Sequence, residues 1–313
     1  MAIPVRNPAT ISKPAITTSP SAGVLPPPSA TTPPAVIIMG EVGSGKTDAL
    51  LSCIAQGKEL FVLVTEPTGV EVLLDGMRRR KLPLEKLHWK LVRPARASMA
   101  SLIASAKLSN TKSAGDLQSL DVGLDRSSYK QFMELLTSIA DFRCDRTGES
   151  YGDVTEWDDS RVFAIDSLSG LSQMAIKHVS GNRGTITQPE YGIIQTAIYD
   201  LLTTLTGLSC FFVLTAHVEF EKDELSGKLL KSVSTVGKKL APKVPLFFSE
   251  VVRQRREGTK KFTWSTDDAD TTLKCRALPY GADLPADLAP IIRAYEARKL
   301  QVMEIRDTET TEV

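Results

Sequence analysis

The chain has 313 residues, 42% of them hydrophobic and 24% charged, the proportions of a globular protein long enough for one large core or two small ones. A formal net charge of +1 excludes a global field drawing it to nucleic acid or anionic membrane, so any such binding falls to local patches. No apolar run approaches the roughly 20 residues that span a bilayer, and no signal-peptide pattern opens the sequence, which predicts a cytoplasmic protein with no membrane partner. Cys53, Cys144, Cys210 and Cys275 lie far apart without a CxxC pair and read as reduced thiols.

Residues 1–34 are rich in Pro, Ser, Thr and Ala and lack the periodicity that buries a face, which predicts a disordered arm. Order begins at Ala35 to Met39, AVIIM, a strand buried on both faces. A glycine-rich turn follows, then a helix over Lys46 to Gln56 and a second strand, LFVLVT, over Leu60 to Thr65. Strand, turn, helix and strand make a βαβ unit and imply a parallel sheet. A basic cluster, Arg78 to Lys81, reads as a solvated helix end, and HWKLV at His88 to Val92 as a third strand. Ala97 to Arg126 is polar and has no readable pattern. Ser128 to Phe142 has helical spacing, with Phe132, Leu135, Leu136 and Ile139 on one stripe.

Further on, RVFAI at Arg161 to Ile165 is a strand ending at Asp166, Pro189 to Gly207 a helix, and CFFVLT at Cys210 to Thr215 another strand. Shorter edge strands are expected at Glu250 to Arg253, Phe262 to Ser265 and Thr271 to Arg276, and a last helix at about Ala286 to Leu300. The simplest partition is an arm over 1–34, one domain over 35–283, and a C-terminal helix and tail over 284–313.

Gly40-Glu41-Val42-Gly43-Ser44-Gly45-Lys46-Thr47 matches GxxxxGK[ST] in full, between a predicted strand and a predicted helix. Glycines there let backbone N–H groups turn inward around phosphates, and Lys46 supplies a mobile cation for the β and γ phosphates. The nucleotide-binding candidates run from Gly40 through Asp48. The Thr47 hydroxyl is a candidate Mg²⁺ ligand, and Asp166, ending a neighbouring strand, is the carboxylate such a site needs. Asp166 also reads as the cap of the segment after it. Ser167 follows, so this strand offers no Asp-Glu pair to orient water. Glu66, at the end of LFVLVT where open parallel sheets bind ligands, is the candidate catalytic base.

This layout resembles the RecA-like recombinases. GEVGSGKT, FRCDRTGESYGDVTEW, VFAIDSLSGLSQMA and VLTAHVEFEKDE resemble more narrowly the phage-encoded RecA-like ATPases that include single-strand annealing proteins, over about Ala35 to Gly281. The resemblance implies an α/β RecA-like P-loop NTPase core: a mostly parallel sheet flanked by helices, with short antiparallel strands toward the C-terminus. It implies ATP and Mg²⁺ as cofactors, single-stranded DNA and a single-strand-binding protein as partners, action in a host cytoplasm, and a homo-oligomer or filament with the nucleotide between subunits. By that resemblance His217 occupies the γ-phosphate-sensing position, held by glutamine in cellular recombinases, and Glu219 to Gly237 is the mobile DNA-binding loop. Eleven Lys or Arg against four acidic residues between Lys222 and Lys261 suit backbone-phosphate contacts or a solvated surface. Lys274 and Arg276 match the positions of residues acting on a neighbour's nucleotide, with Arg276 the candidate finger. A P-loop motor and a non-catalytic assembly protein are the alternatives.

Overall fold

The structure is a computed structural model that describes residues 32–94, 98–111, 129–181, 186–222, 229–259 and 261–311. The arm expected over 1–34, apart from 32–34, lies outside the described residues, as do 112–126 of the polar stretch.

Among the described residues the core is one nine-stranded sheet. β1 (Ala35–Gly40), β2 (Glu59–Val64), β3 (Leu87–Leu91), β4 (Arg161–Asp166), β5 (Phe211–Lys222) and β7 (Glu250–Glu257) form its parallel part, in the order β3-β2-β4-β5-β1-β7. β8 (Lys261–Ser265) and β9 (Leu284–Pro285) extend it antiparallel, and β6 (Leu229–Val233) pairs antiparallel with β5 alone. This is the α/β architecture expected, a mostly parallel sheet with short antiparallel strands toward the C-terminus.

Continuous apolar runs were the sequence signal for these strands, and the reason is two-sided burial. Successive side chains alternate faces. Ile37, Met39, Phe61, Leu63, Phe163, Ile165, Phe212 and Leu214 pack on one face, against α4 (Gln131–Ala140), α5 (Leu168–Ser180) and α6 (Gln188–Thr206). Val36, Ile38, Leu60, Val62, Val64, Ala164 and Val213 pack on the other, against α1 (Lys46–Leu50), α2 (Gly69–Arg80) and α9 (Ala289–Thr311). Phe163 is fully buried among Phe142, Trp157 and Phe212, so truncating it to alanine costs about 3–5 kcal/mol. Capping fixes α6: Glu190 accepts from the backbone N–H of Thr187, which precedes the helix, and Pro189 stands in its first turn.

Several expectations shift. The helix after the glycine turn is α only to Leu50 and continues as 3₁₀ over Leu51–Gln56. Within the unreadable polar stretch, Met99–Thr111 is helical, α3. Thr271 to Arg276 forms no strand: only isolated bridges join Lys231 to Thr271 and Val251 to Lys274. The edge of β7 is taken by β8 from Arg253 onward, leaving only its first residues open to that segment. The segment expected as a mobile loop after His217 is largely an antiparallel ribbon: β5 runs on to Lys222 and returns as β6, with Val218 opposite Val233. α7 (Gly237–Leu240) and α8 (Val244–Phe247) then lead to β7.

Candidate functional site

The carboxyl ends of β1, β2, β4 and β5 converge. Register places Gly40 opposite His217 and Val64 opposite Asp166, so the glycine loop, Glu66, Asp166 and His217 meet at one edge.

Gly45 holds φ +88°, open to glycine at no steric cost, and a Cβ at Gly40 would lie 2.6 Å from the carbonyl oxygen of Gln254. Lys46 folds back over the loop and donates to the carbonyls of Gly40 (3.0 Å) and Glu41 (2.9 Å). Burial pulls its pKa below the usual lysine value, against the carboxylates of Asp166, Glu66 and Glu41. The Thr47 hydroxyl donates to Asp166 Oδ2 at 2.8 Å, and the Thr215 hydroxyl to Asp166 Oδ1. Asp166 is buried, and burial pushes its carboxyl up despite those bonds. Glu66 Oε1 accepts from the Ser167 hydroxyl (2.7 Å) and lies 2.8 Å from His217 Nε2, while His217 Nδ1 is 3.4 Å from Lys46 Nζ. The bond from His217, opposed by burial and helped by Ser167, holds Glu66 below the usual carboxylate range. The Asp166–Ser167 peptide is cis. A cavity of about 400 Å³ opens beside Glu66 and His217, lined also by Thr65, Arg93, Gly170 and Gln173.

Do these residues fit a phosphate and a divalent cation? Ser44 Oγ is buried in the loop with no hydrogen-bond partner among the described residues, a donor left for a phosphate oxygen. One hydroxyl and one carboxylate, Thr47 and Asp166, face each other as oxygen donors suited to Mg²⁺, a hard cation. Both tests are met.

The remaining candidates fall around this centre. Val42 is exposed at the loop tip, and Glu41 reaches toward Arg253 at 3.4 Å. Asp48 turns away and is ion-paired to Arg79 and Arg80, which are therefore more than the solvated helix end expected. Arg276 is not brought to this edge: it lies beside the first residues of β1 and β7, where its backbone N–H donates to Glu250. Part of the basic excess is committed internally, since Lys231, Arg253 and Arg255 all engage Asp268. Burial alone would raise the Asp268 carboxyl, but the two arginines hold it far below the usual range.

Sequence reasoning missed Thr65, Thr215 and Gln254. The Thr65 hydroxyl accepts from Ser167 N (2.8 Å) and fixes the end of β4 against β2. Gln254, buried, donates to the Ser44 carbonyl (2.8 Å) and accepts from Trp264 Nε1 (3.0 Å), tying the loop to the sheet. The threonines had a signal, a polar residue ending an apolar strand; Gln254 had none.

No family model matches the chain, and no curated protein matches it. Among solved structures it is similar to an ATPase from the type III secretion system of pathogenic bacteria, at 14% identity over 72% of this chain and 53% of that one, with a TM-score of 0.40. It thus spans about half the length of that ATPase. It is also similar to the RadB recombinase, at 12% identity over 80% of this chain and 86% of that one, with a TM-score of 0.38. At these identities and scores the likeness assigns no function.

Proposed function

We propose that the chain is a magnesium-dependent ATPase that acts as an oligomer on single-stranded DNA, in annealing or recombination. The observation that carries the hydrolytic part is the Thr47–Asp166 hydrogen bond with Glu66 and His217 beside it at the end of the glycine loop. Lys46, now on the loop carbonyls, has the reach to exchange them for phosphate oxygens. Thr47 and Asp166 would hold Mg²⁺, which would supply charge neutralisation at the phosphates. Glu66, kept ionised by its hydrogen bonds, orients water for in-line attack and takes its proton. His217 stands between Lys46 and Glu66, where a γ-phosphate is felt by both.

The DNA reading is supported by the path of β5, which runs without interruption from His217 into the ribbon with β6. A change at the phosphate is thereby transmitted along one strand. In sequence Lys222 ends β5 and Lys228 directly precedes β6; residues 223–228 lie outside the described ones. Arg276, exposed and remote from its own loop, is suited to act only in trans, in a head-to-tail assembly that sets one protomer's far end against the next one's site.

ATP turnover by the full chain, with and without single-stranded DNA at two salt concentrations, tests this. The expected result is stimulation that fades with salt. Turnover indifferent to DNA moves the assignment to a motor, and nucleotide binding without turnover moves it to an assembly protein.

A further inference from the structure

The cavity of about 400 Å³ beside Glu66 and His217 is far larger than a single attacking water needs. No residue of the glycine loop lines it; Arg93, after β3, and Ser169, Gly170 and Gln173 of α5 complete its wall.

That wall suits an oxyanion. Arg93 is exposed and makes no ion pair among the described residues. It donates one N–H to the Pro67 carbonyl (2.9 Å), which leaves most of its five donors free. The Ser169 hydroxyl is buried without a hydrogen-bond partner among the described residues, and one rotation about its Cα–Cβ bond offers it to the cavity. α5 begins here without a side-chain cap, because the Ser167 hydroxyl goes to Glu66 Oε1 instead. The N–H groups of its first turn and the positive end of its dipole therefore add to the arginine.

We propose that this cavity receives inorganic phosphate after cleavage, with Arg93 as its principal ligand. This rests on the ATPase reading, with Glu66 as the base. In an in-line displacement the water oxygen bonds to the γ-phosphorus as the bond to the bridging oxygen breaks; ADP leaves with that electron pair, and the water proton passes to Glu66. The phosphorus thereby moves away from ADP and toward the nucleophile, hence toward the residue that held the water and the cavity that this residue lines. Glu66 is neutral once it carries the proton and no longer repels the product, while Arg93 attracts it. Phosphate then sits apart from the loop that keeps ADP.

Calorimetric titration of inorganic phosphate into the full chain saturated with ADP and Mg²⁺ tests the site, with Arg93→Ala, Arg93→Lys and Gln173→Glu beside the wild type. Both side chains are exposed, and a thermal melt confirms that each variant is folded. The wild type is expected to bind phosphate, and Arg93→Ala to lose about tenfold or more in affinity, with partial recovery in Arg93→Lys. Gln173→Glu, which adds a carboxylate to the cavity wall, should lose a similar factor, and ADP affinity should stay within about twofold throughout. A wild type that binds ADP but no phosphate overturns the proposal and leaves the P-loop reading intact. Phosphate bound equally by the wild type, Arg93→Ala and Gln173→Glu overturns it as well, and so does an equal loss for ADP and phosphate, which makes Arg93 a support of the fold. ATP turnover by the same wild-type preparation reads the underlying assignment separately: a chain that never turns ATP over removes that assignment and the product role with it.

Discussion

One imidazole bridges the loop cation and the carboxylate: His217 Nε2 lies 2.8 Å from Glu66 Oε1, and its Nδ1 3.4 Å from the Lys46 ammonium. The bond to His217 lowers the Glu66 pKa, and a base must be ionised to work, so the pairing keeps Glu66 competent to lower pH. In His217→Ala the acid limb of the kcat profile is therefore expected to move to higher pH, with a smaller move in the same direction for Ser167→Ala. An acid limb unmoved in both variants contradicts the coupling.

Asp166 carries the opposite shift. Burial raises its carboxyl above the ordinary value, so the folded state binds this proton more tightly than the unfolded one. Stability is then lost as pH climbs through the unfolded value toward the folded one. Asp166→Asn removes that charge. Its melting temperature at pH 7 is expected to rise by ~2–4 °C while magnesium-dependent turnover disappears. A lower melting temperature contradicts the sign.

Gln254 is the loop's anchor, and its removal has two readouts. Gln254→Ala leaves the Trp264 indole N–H buried and unpaired and frees the Ser44 carbonyl, at a cost of about 1–3 kcal/mol in urea denaturation. Tripolyphosphate affinity should fall with it. Wild-type behaviour in both assays rules out the anchor.

The parts of this molecule written locally were legible before the structure. GEVGSGKT specifies its own turn, and the runs AVIIM, LFVLVT, RVFAI and CFFVLT are long enough apolar stretches to demand a sheet covered on both faces. Lys46 and Thr47 follow from the loop motif, Glu66 and Asp166 from closing apolar strands, and His217 from the resemblance alone; the five do meet. The contacts that were illegible join distant segments. Gln254 reaches Ser44 across 210 positions, and Asp48 pairs with arginines 31 and 32 positions on, beside a helix whose apolar stripe is too sparse to announce itself. The ribbon after His217 was hidden because Glu219, Glu221 and Lys222 look like loop residues; strand pairing with β6 holds the segment. Thr271 to Arg276 has strand composition, but β8 occupies most of the edge it needed.

His88 gives a prediction away from the site. It is buried against Phe61 and Tyr151 with both ring nitrogens unpartnered, and burial, with Arg146 and Arg161 nearby, takes its pKa down from 6.5 to about 4. Between those values the unfolded chain takes up a proton that the folded one refuses. Stability therefore falls as pH drops through that window, by at most about 3 kcal/mol. His88→Leu is expected to flatten this acid loss and to be neutral or stabilising at pH 7. Denaturation midpoints at pH 7 and pH 5 check it; an identical pH dependence in the variant contradicts it.

Phosphate release from ATP and Mg²⁺ by the full chain, set beside ATP binding and phosphate release by Glu66→Gln, is the most direct measurement. The wild type should hydrolyse ATP, and Glu66→Gln should bind it with an affinity within about threefold of wild type while releasing phosphate ~100-fold more slowly or worse. A Glu66→Gln variant that hydrolyses ATP at the wild-type rate, or a wild type that binds ATP and never turns it over, contradicts the assignment of Glu66 as the base of an ATPase.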